Sequence, residues 1–275
     1  MILSYAYITA TIFFHKDVSR ISDWLSARLS FRVYNNLIFF VSLLLLIVPG
    51  ALLLVRIIKG QHRFLKIVYW VITVLLVVLS YKMLIVFNVE IIHFPQYAVL
   101  ALPVFALLGH FGQTVFWVTL LGTIDEAYQY FVLHPETSVD FNDIVLNLIG
   151  AGIGVLSIYT LSASGYESLT FRANPTRKLN HYVTFAIIAF ILFGGISLYA
   201  ADILRLYPDP NTPNALIILR SQPPPAQFWT ILDIGKAYHE LHATEGIFVS
   251  VVLIAFYSCL DRIAPGRRHN AEDFP

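Results

Sequence analysis

Residues 143–161 read DIVLNLIGAGIGVLSIYTL, nineteen positions whose single charge, Asp143, stands first. A helix crossing the hydrocarbon core of a bilayer needs about 20 mostly apolar residues, and this stretch supplies them. Its polar and small residues are ordered. Asp143, Asn147, Gly150 and Gly154 follow an i, i+4, i+7, i+11 spacing, which puts them on one stripe of a helix. The stripe is polar at its first end and small further in. Glycines so placed let a neighbouring helix approach closely. The stretch therefore predicts a transmembrane helix with Asp143 and Asn147 at a helix–helix seam.

The rest of the 275-residue chain has the same character. It is 57% hydrophobic and 13% charged, with a mean hydropathy of +0.71. A typical soluble domain is about 25% charged. Too little polar surface remains to coat a water-soluble globule, which excludes an ordinary soluble domain, a disordered chain and a nucleic-acid binder. The net charge of +1 gives no bulk pull on a polyanionic partner. Six further stretches have the length and apolarity of spans: 37–55, 67–87, 94–108, 112–131, 182–201 and 244–260. The predicted fold is all-α, a polytopic transmembrane bundle of about seven spans. Gly109 and His110 leave only a short turn between two of these stretches, which predicts a tight antiparallel hairpin.

The flanks are less regular. Residues 1–14 are short for a span and lack the basic start and small-residue cleavage site of a secretory signal. In 17–32, Val18, Ile21, Trp24, Leu25 and Leu29 recur at helical spacing among Arg20, Arg28 and Arg32, the pattern of an amphipathic helix on a membrane surface. Residues 202–241 are proline-rich, with Pro223, Pro224 and Pro225 in a row, and predict an irregular extracytoplasmic loop with a short helix near 228–236. The chain divides into an N-terminal segment 1–36, a core 37–161 and an extension 162–275.

Lys and Arg in short loops set orientation. Arg56, Lys59, Arg63 and Lys66, then Arg172, Arg177 and Lys178, then Arg262, Arg267 and Arg268 fall on one side of a seven-span chain, the expected cytoplasmic side. The segments near Glu90 and at 134–142 carry neither and are expected to face outward. The basic residues of 16–32 conflict with this, since they fall outside.

Ionisable groups at or inside spans are costly, so each is a functional candidate. Glu126 and Gln129 share a face at the end of one span, with Asp125 and Gln129 on a neighbouring face. Asp140 and Asn142 offer N-cap chemistry to the next span, where acidic residues suit the helix dipole. His93, followed by Tyr97, can titrate near neutral pH or donate to a carboxylate. Lys82 is the one basic residue deep in an apolar run; it either snorkels to headgroups or pairs with Glu90, Asp125 or Glu126. The lone cysteine, Cys259, excludes an intramolecular disulfide and is expected as a buried thiol. His239, Glu240, His242 and Glu245 miss the zinc-protease spacing by one residue. No metal, cofactor or paired nucleophile is read from the sequence.

Two segments resemble the VanZ-like membrane proteins. His93-Phe94-Pro95-Gln96-Tyr97 resembles that family's H-F-x-x-Y segment. Glu126, Gln129 and Phe131, then Asp143, Asn147, Gly150 and Gly154, resemble its E-x-x-Q-x-F and D-x-x-x-N-x-x-G-x-x-x-G patterns. The likeness covers about 68–161, roughly a third of the chain. It departs at Val89-Glu90, where the family often has Asp-Lys, and in 134–138, where the family often has an Arg. The resemblance implies an envelope protein of the kind associated with low-level resistance to the glycopeptide teicoplanin, in a bacterial cytoplasmic membrane, and the Lys and Arg distribution puts its C-terminus inside. The residues leave three roles open: a seam of Lys82, His93, Tyr97, Glu126, Gln129, Asp140, Asp143 and Asn147 that binds an envelope component or lipid headgroup; a membrane-embedded hydrolase or transferase using Glu126 or Asp143 with His93; or a structural or transport protein.

Overall fold

The computed structural model describes residues 20–21, 24–60, 62–128, 140–161, 228–231 and 236–263. Helix α1 runs Phe31–Lys59, α2 Arg63–Met83, α3 His93–Leu108, α4 Phe111–Tyr128 and α5 Phe141–Leu161. A short 3-10 turn, Asn88–Ile92, leads into α3. Two strands, β1 (Thr230–Ile231) and β2 (Ala237–Tyr238), precede α6 (Ala243–Ser258) and the short α7 (Leu260–Ile263). Four helical stretches are long and apolar enough to cross a membrane: Arg63–Met83, Asn88–Leu108, Phe141–Leu161 and Ala243–Ile263. The chain is a helical membrane protein. The apolar stretch 182–201 and residues 1–19 lie outside the described residues.

Helix α5 is the centre. Its apolar window is 83% buried, against 22% for α2 and 28% for the α6–α7 stretch. It packs on α1, α2, α3, α4 and α6. Its glycines make that possible. A Cβ on Gly150 would lie 2.8 Å from the carbonyl oxygens of His93 and Phe94, and one on Gly154 2.5 Å from that of Ala98. Any larger residue would push α3 away. On a different face, a Cβ on Gly152 would collide with the Tyr257 ring of α6.

The α3–α4 hairpin turns at Gly109, whose φ of 69° is the left-handed conformation that costs glycine least. The new helix start is then capped from across the bundle. Asp261 accepts the Phe111 and Gly112 N–H groups at 2.8 Å each, satisfying two donors that a helix N-terminus leaves open.

Three sequence expectations are corrected. The segment 17–32 is not one helix: residues 24–26 are helical, 27–29 turn, and Ser30 is extended ahead of α1. The short helix near 228–236 is replaced by an antiparallel pairing of Thr230 with Tyr238 and Ile231 with Ala237, as β-branched and aromatic residues favour. Cys259 is exposed rather than buried, because it sits at the end of α6 on the side away from the core, its thiol donating to Ala255 O at 3.4 Å.

Candidate functional site

The starts of α1, α3, α5 and α6 and the ends of α2 and α4 gather at one end of the bundle. Asn35 near the start of α1 takes the Asn88 N–H on Oδ1 at 3.3 Å and the Asn88 Nδ2 on its carbonyl at 2.9 Å. Phe141 and Ile144 of α5 pack on Ala243 of α6. At this end the carboxylates sort into two kinds, those that cap backbone and those that face the seam.

Glu90 caps backbone. Its two oxygens accept the Val86 and Phe87 N–H groups at 2.8 Å each and fix the turn that delivers His93 to the start of α3. Asp140 caps as well, with Oδ1 accepting the Asn142 and Asp143 N–H groups at 2.8 and 3.3 Å.

The seam lies between α3, α4 and α5. His93 Nδ1–H donates to Asn147 Oδ1 at 2.7 Å, and His93 Nε2 lies 3.5 Å from Asp143 Oδ1. One imidazole thus touches both polar residues of the α5 stripe. Tyr97, one turn further along α3, donates its hydroxyl to Asp125 Oδ2 at 3.2 Å. The His93 and Tyr97 rings stack with centroids 6.3 Å apart. Glu126 is buried beside Asp125 at the end of α4, and both act electrostatically on Asp143. Asn147 and Tyr97 are fully buried, whereas the Asp143 side chain keeps 17% of its exposure and forms the rim.

Among the described residues, Asp143 Oδ1 and Asn147 Nδ2 make no hydrogen bond, although His93 Nε2 lies 3.5 Å from the first. Buried polar atoms are normally paired, so both are notable. Gly122 of α4 faces the second, where a Cβ would come within 2.9 Å of Asn147 Nδ2 and 3.0 Å of the Tyr97 ring.

Lys82 does not join this group. It is exposed at the end of α2, and among the described residues no carboxylate comes within 4.0 Å of it. The cation near Glu90 is instead Lys236, which donates to Val86 O at 3.2 Å and lies over the Tyr81 ring. Burial lowers its pKa, partly offset by Glu90. Lys236 carries no signal in the sequence, since it sits in a proline-rich segment about 150 positions away from its partner.

A second group closes this end from the side. Asn142 Nδ2 donates to Leu84 O and to His239 O at 3.0 Å each, and Asn142 Oδ1 accepts the Leu241 N–H at 2.9 Å. One side chain thus clasps the end of α2 and the segment before α6 onto α5. His239 stacks on Phe228 at 4.0 Å and sets Nε2 3.3 Å from Glu245. Glu245 also accepts the His242 N–H at 2.9 Å, the reciprocal part of a helix cap. The His239–Glu245 cluster is thereby engaged in holding the start of α6. Among the described residues no three His, Cys, Asp or Glu side chains converge to hold a metal ion. Gln129 lies outside the described residues.

No protein-family model, curated protein or solved structure matches this chain.

Proposed function

We propose that the chain is a VanZ-like multi-pass protein of a bacterial cytoplasmic membrane whose polar seam binds a cell-envelope component or lipid headgroup. The observation that carries this reading is the buried set His93, Tyr97, Asp125, Glu126 and Asn147 with Asp143 at its rim, gathered from three helices at one end of the bundle. A membrane protein keeps ionisable groups in its helices at a cost, and function is the usual reason. Orientation follows from the other end, where Arg56, Arg63, Lys66 and Arg262 gather and point to the cytoplasm; the seam then faces outward. All of these seam residues but Asp125 carry the resemblance in sequence. The test is a host whose teicoplanin susceptibility depends on this protein. Glu126→Ala and Asp143→Ala are expected to abolish the phenotype at normal expression; an unchanged phenotype in both would end this reading.

A membrane-embedded hydrolase or transferase is the second reading. It is favoured by the 3.5 Å approach of His93 Nε2 to Asp143 Oδ1, which suits a general base and its partner. Envelope lipid turned over by purified wild type and not by His93→Gln would move the assignment to an enzyme.

A further inference from the structure

Asn147 Nδ2 and Asp143 Oδ1, two seam atoms that make no hydrogen bond, specify the chemistry they can accept. Asn147 Nδ2 is a donor, and Asp143 Oδ1 an acceptor, one helical turn apart on the same face of α5. Asn147 is fully buried, and its other amide atom is already taken by His93 at 2.7 Å. Its position and orientation are therefore fixed. The Asp143 side chain, 17% exposed, forms the rim above this pair, with both atoms themselves buried.

Resting on the reading of the seam as a binding site, we propose that it takes a hydroxyl-rich headgroup, a sugar or polyol, that donates to Asp143 Oδ1 and accepts from Asn147 Nδ2. An ammonium group only donates; it would satisfy Asp143 and leave Asn147 unmet. A phosphate only accepts; it would satisfy Asn147 and leave Asp143 Oδ1 unmet. A divalent cation would meet the Asn147 N–H groups donor to cation. A hydroxyl does both jobs. Neighbouring hydroxyls on one ring or chain can meet the two atoms together. Gly122 is part of this design, since a side chain there would crowd Asn147 Nδ2.

The experiment uses the full chain in phosphatidylcholine nanodiscs doped equally with glucosyl-diacylglycerol, phosphatidylethanolamine and phosphatidic acid of matched acyl chains. Lipid retained after a detergent wash is counted by native mass spectrometry. Glucosyl-diacylglycerol is expected to be retained about tenfold over the other two, since a site built around hydroxyls rejects ligands without them. Asp143→Asn and Gly122→Ala are each expected to remove that preference, and a melting curve for each variant confirms that it is folded. Competition by soluble methyl glucoside would show that the sugar alone is recognised; glucosyl lipid retained without such competition would place the ligand in the bilayer. Equal retention of the three lipids, or preference for either phospholipid, overturns the proposal. If that result came with an intact Glu126-dependent phenotype, the hydroxyl assignment alone would fall and the seam's role would stand.

Discussion

His93 Nδ1 and Asn147 Oδ1 are 2.7 Å apart, a buried bond that ties the first turn of α3 to the second turn of α5. Because both residues are buried, removing either strands the other. His93→Ala and Asn147→Ala are each expected to cost about 1–3 kcal/mol. The double variant should cost less than their sum, with a coupling of about 1 kcal/mol, in the range measured between membrane helices. Reversible unfolding in mixed micelles measures all three. Strict additivity would show that the two side chains act independently.

The glycines of α5 should not tolerate what a glycine in α1 tolerates. A Cβ on Gly154 would lie 2.5 Å from Ala98 O and 2.6 Å from Ala101 Cβ, both on α3. Gly154→Ala is expected to destabilise by about 1–3 kcal/mol, because a packed helix pair must part to admit it. Gly50, inside α1, has nothing within 4 Å of its Cβ position. Gly50→Ala is expected to be neutral or stabilising by up to about 1 kcal/mol, from helix propensity alone. Thermal midpoints of the two variants side by side check both signs.

These residues also mark what one sequence can reveal. The α5 stripe was legible because a helix repeats, so residues four and seven apart share a face whatever lies opposite. The same logic marked Glu126 and the Gly109 turn. It could not show Gly152 meeting Tyr257, Asn142 holding His239, or Asp261 capping Phe111, because each joins residues about 100 or more positions apart with no period linking them. Nor could it separate carboxylates that cap from carboxylates that face the seam. Glu90 and Asp143 read alike as acids at a span's edge; only the Val86 and Phe87 N–H groups on Glu90 distinguish them. Lys82 stands out in the sequence because it sits in an apolar run, yet it is exposed, and it is the half-buried Lys236 that bonds Val86 O.

Asn142 should control the segment before α6. Its three hydrogen bonds reach Leu84, His239 and Leu241, so Asn142→Ala leaves two carbonyls and one N–H group to find water. Residues 236–242 are expected to become cleavable by protease, with their amide exchange faster by about tenfold or more. Exchange in α3, which Asn142 does not touch, should stay as in the wild type. Uniform acceleration throughout the bundle would mean that Asn142 supports global rather than local stability.

The same segment should respond to pH through Glu240. Burial, with Asp140 nearby, raises this carboxyl's pKa above the ordinary value, and His242 and His239 pull it partly back. A raised acid binds its proton more tightly folded than unfolded. Its contribution is therefore fullest below the ordinary carboxylate pKa and is lost as pH rises from there through the raised value. The wild type is expected to hold residues 236–242 more firmly near pH 5 than near pH 7, and Glu240→Gln should flatten that dependence. Protease resistance of the segment at the two pH values, using a protease active at both, is the measurement. A slope unchanged by Glu240→Gln would assign it to Asp140 instead.

Cys259 offers a direct check on orientation. It is the only cysteine in the chain, and it is exposed at the end of α6, the end away from the seam. If the seam faces outward, this thiol faces the cytoplasm. A membrane-impermeant maleimide is expected to label Cys259 in inside-out vesicles and not in intact right-side-out cells, with Cys259→Ser abolishing the label. As a counterpart, a cysteine placed at the exposed Lys82, in a Cys259→Ser background, should give the opposite pattern, because Lys82 stands at the seam end of α2. Labelling of Cys259 from outside, together with protection of position 82, would invert the bundle. The seam would then face the cytoplasm, and a ligand would have to be sought on that side.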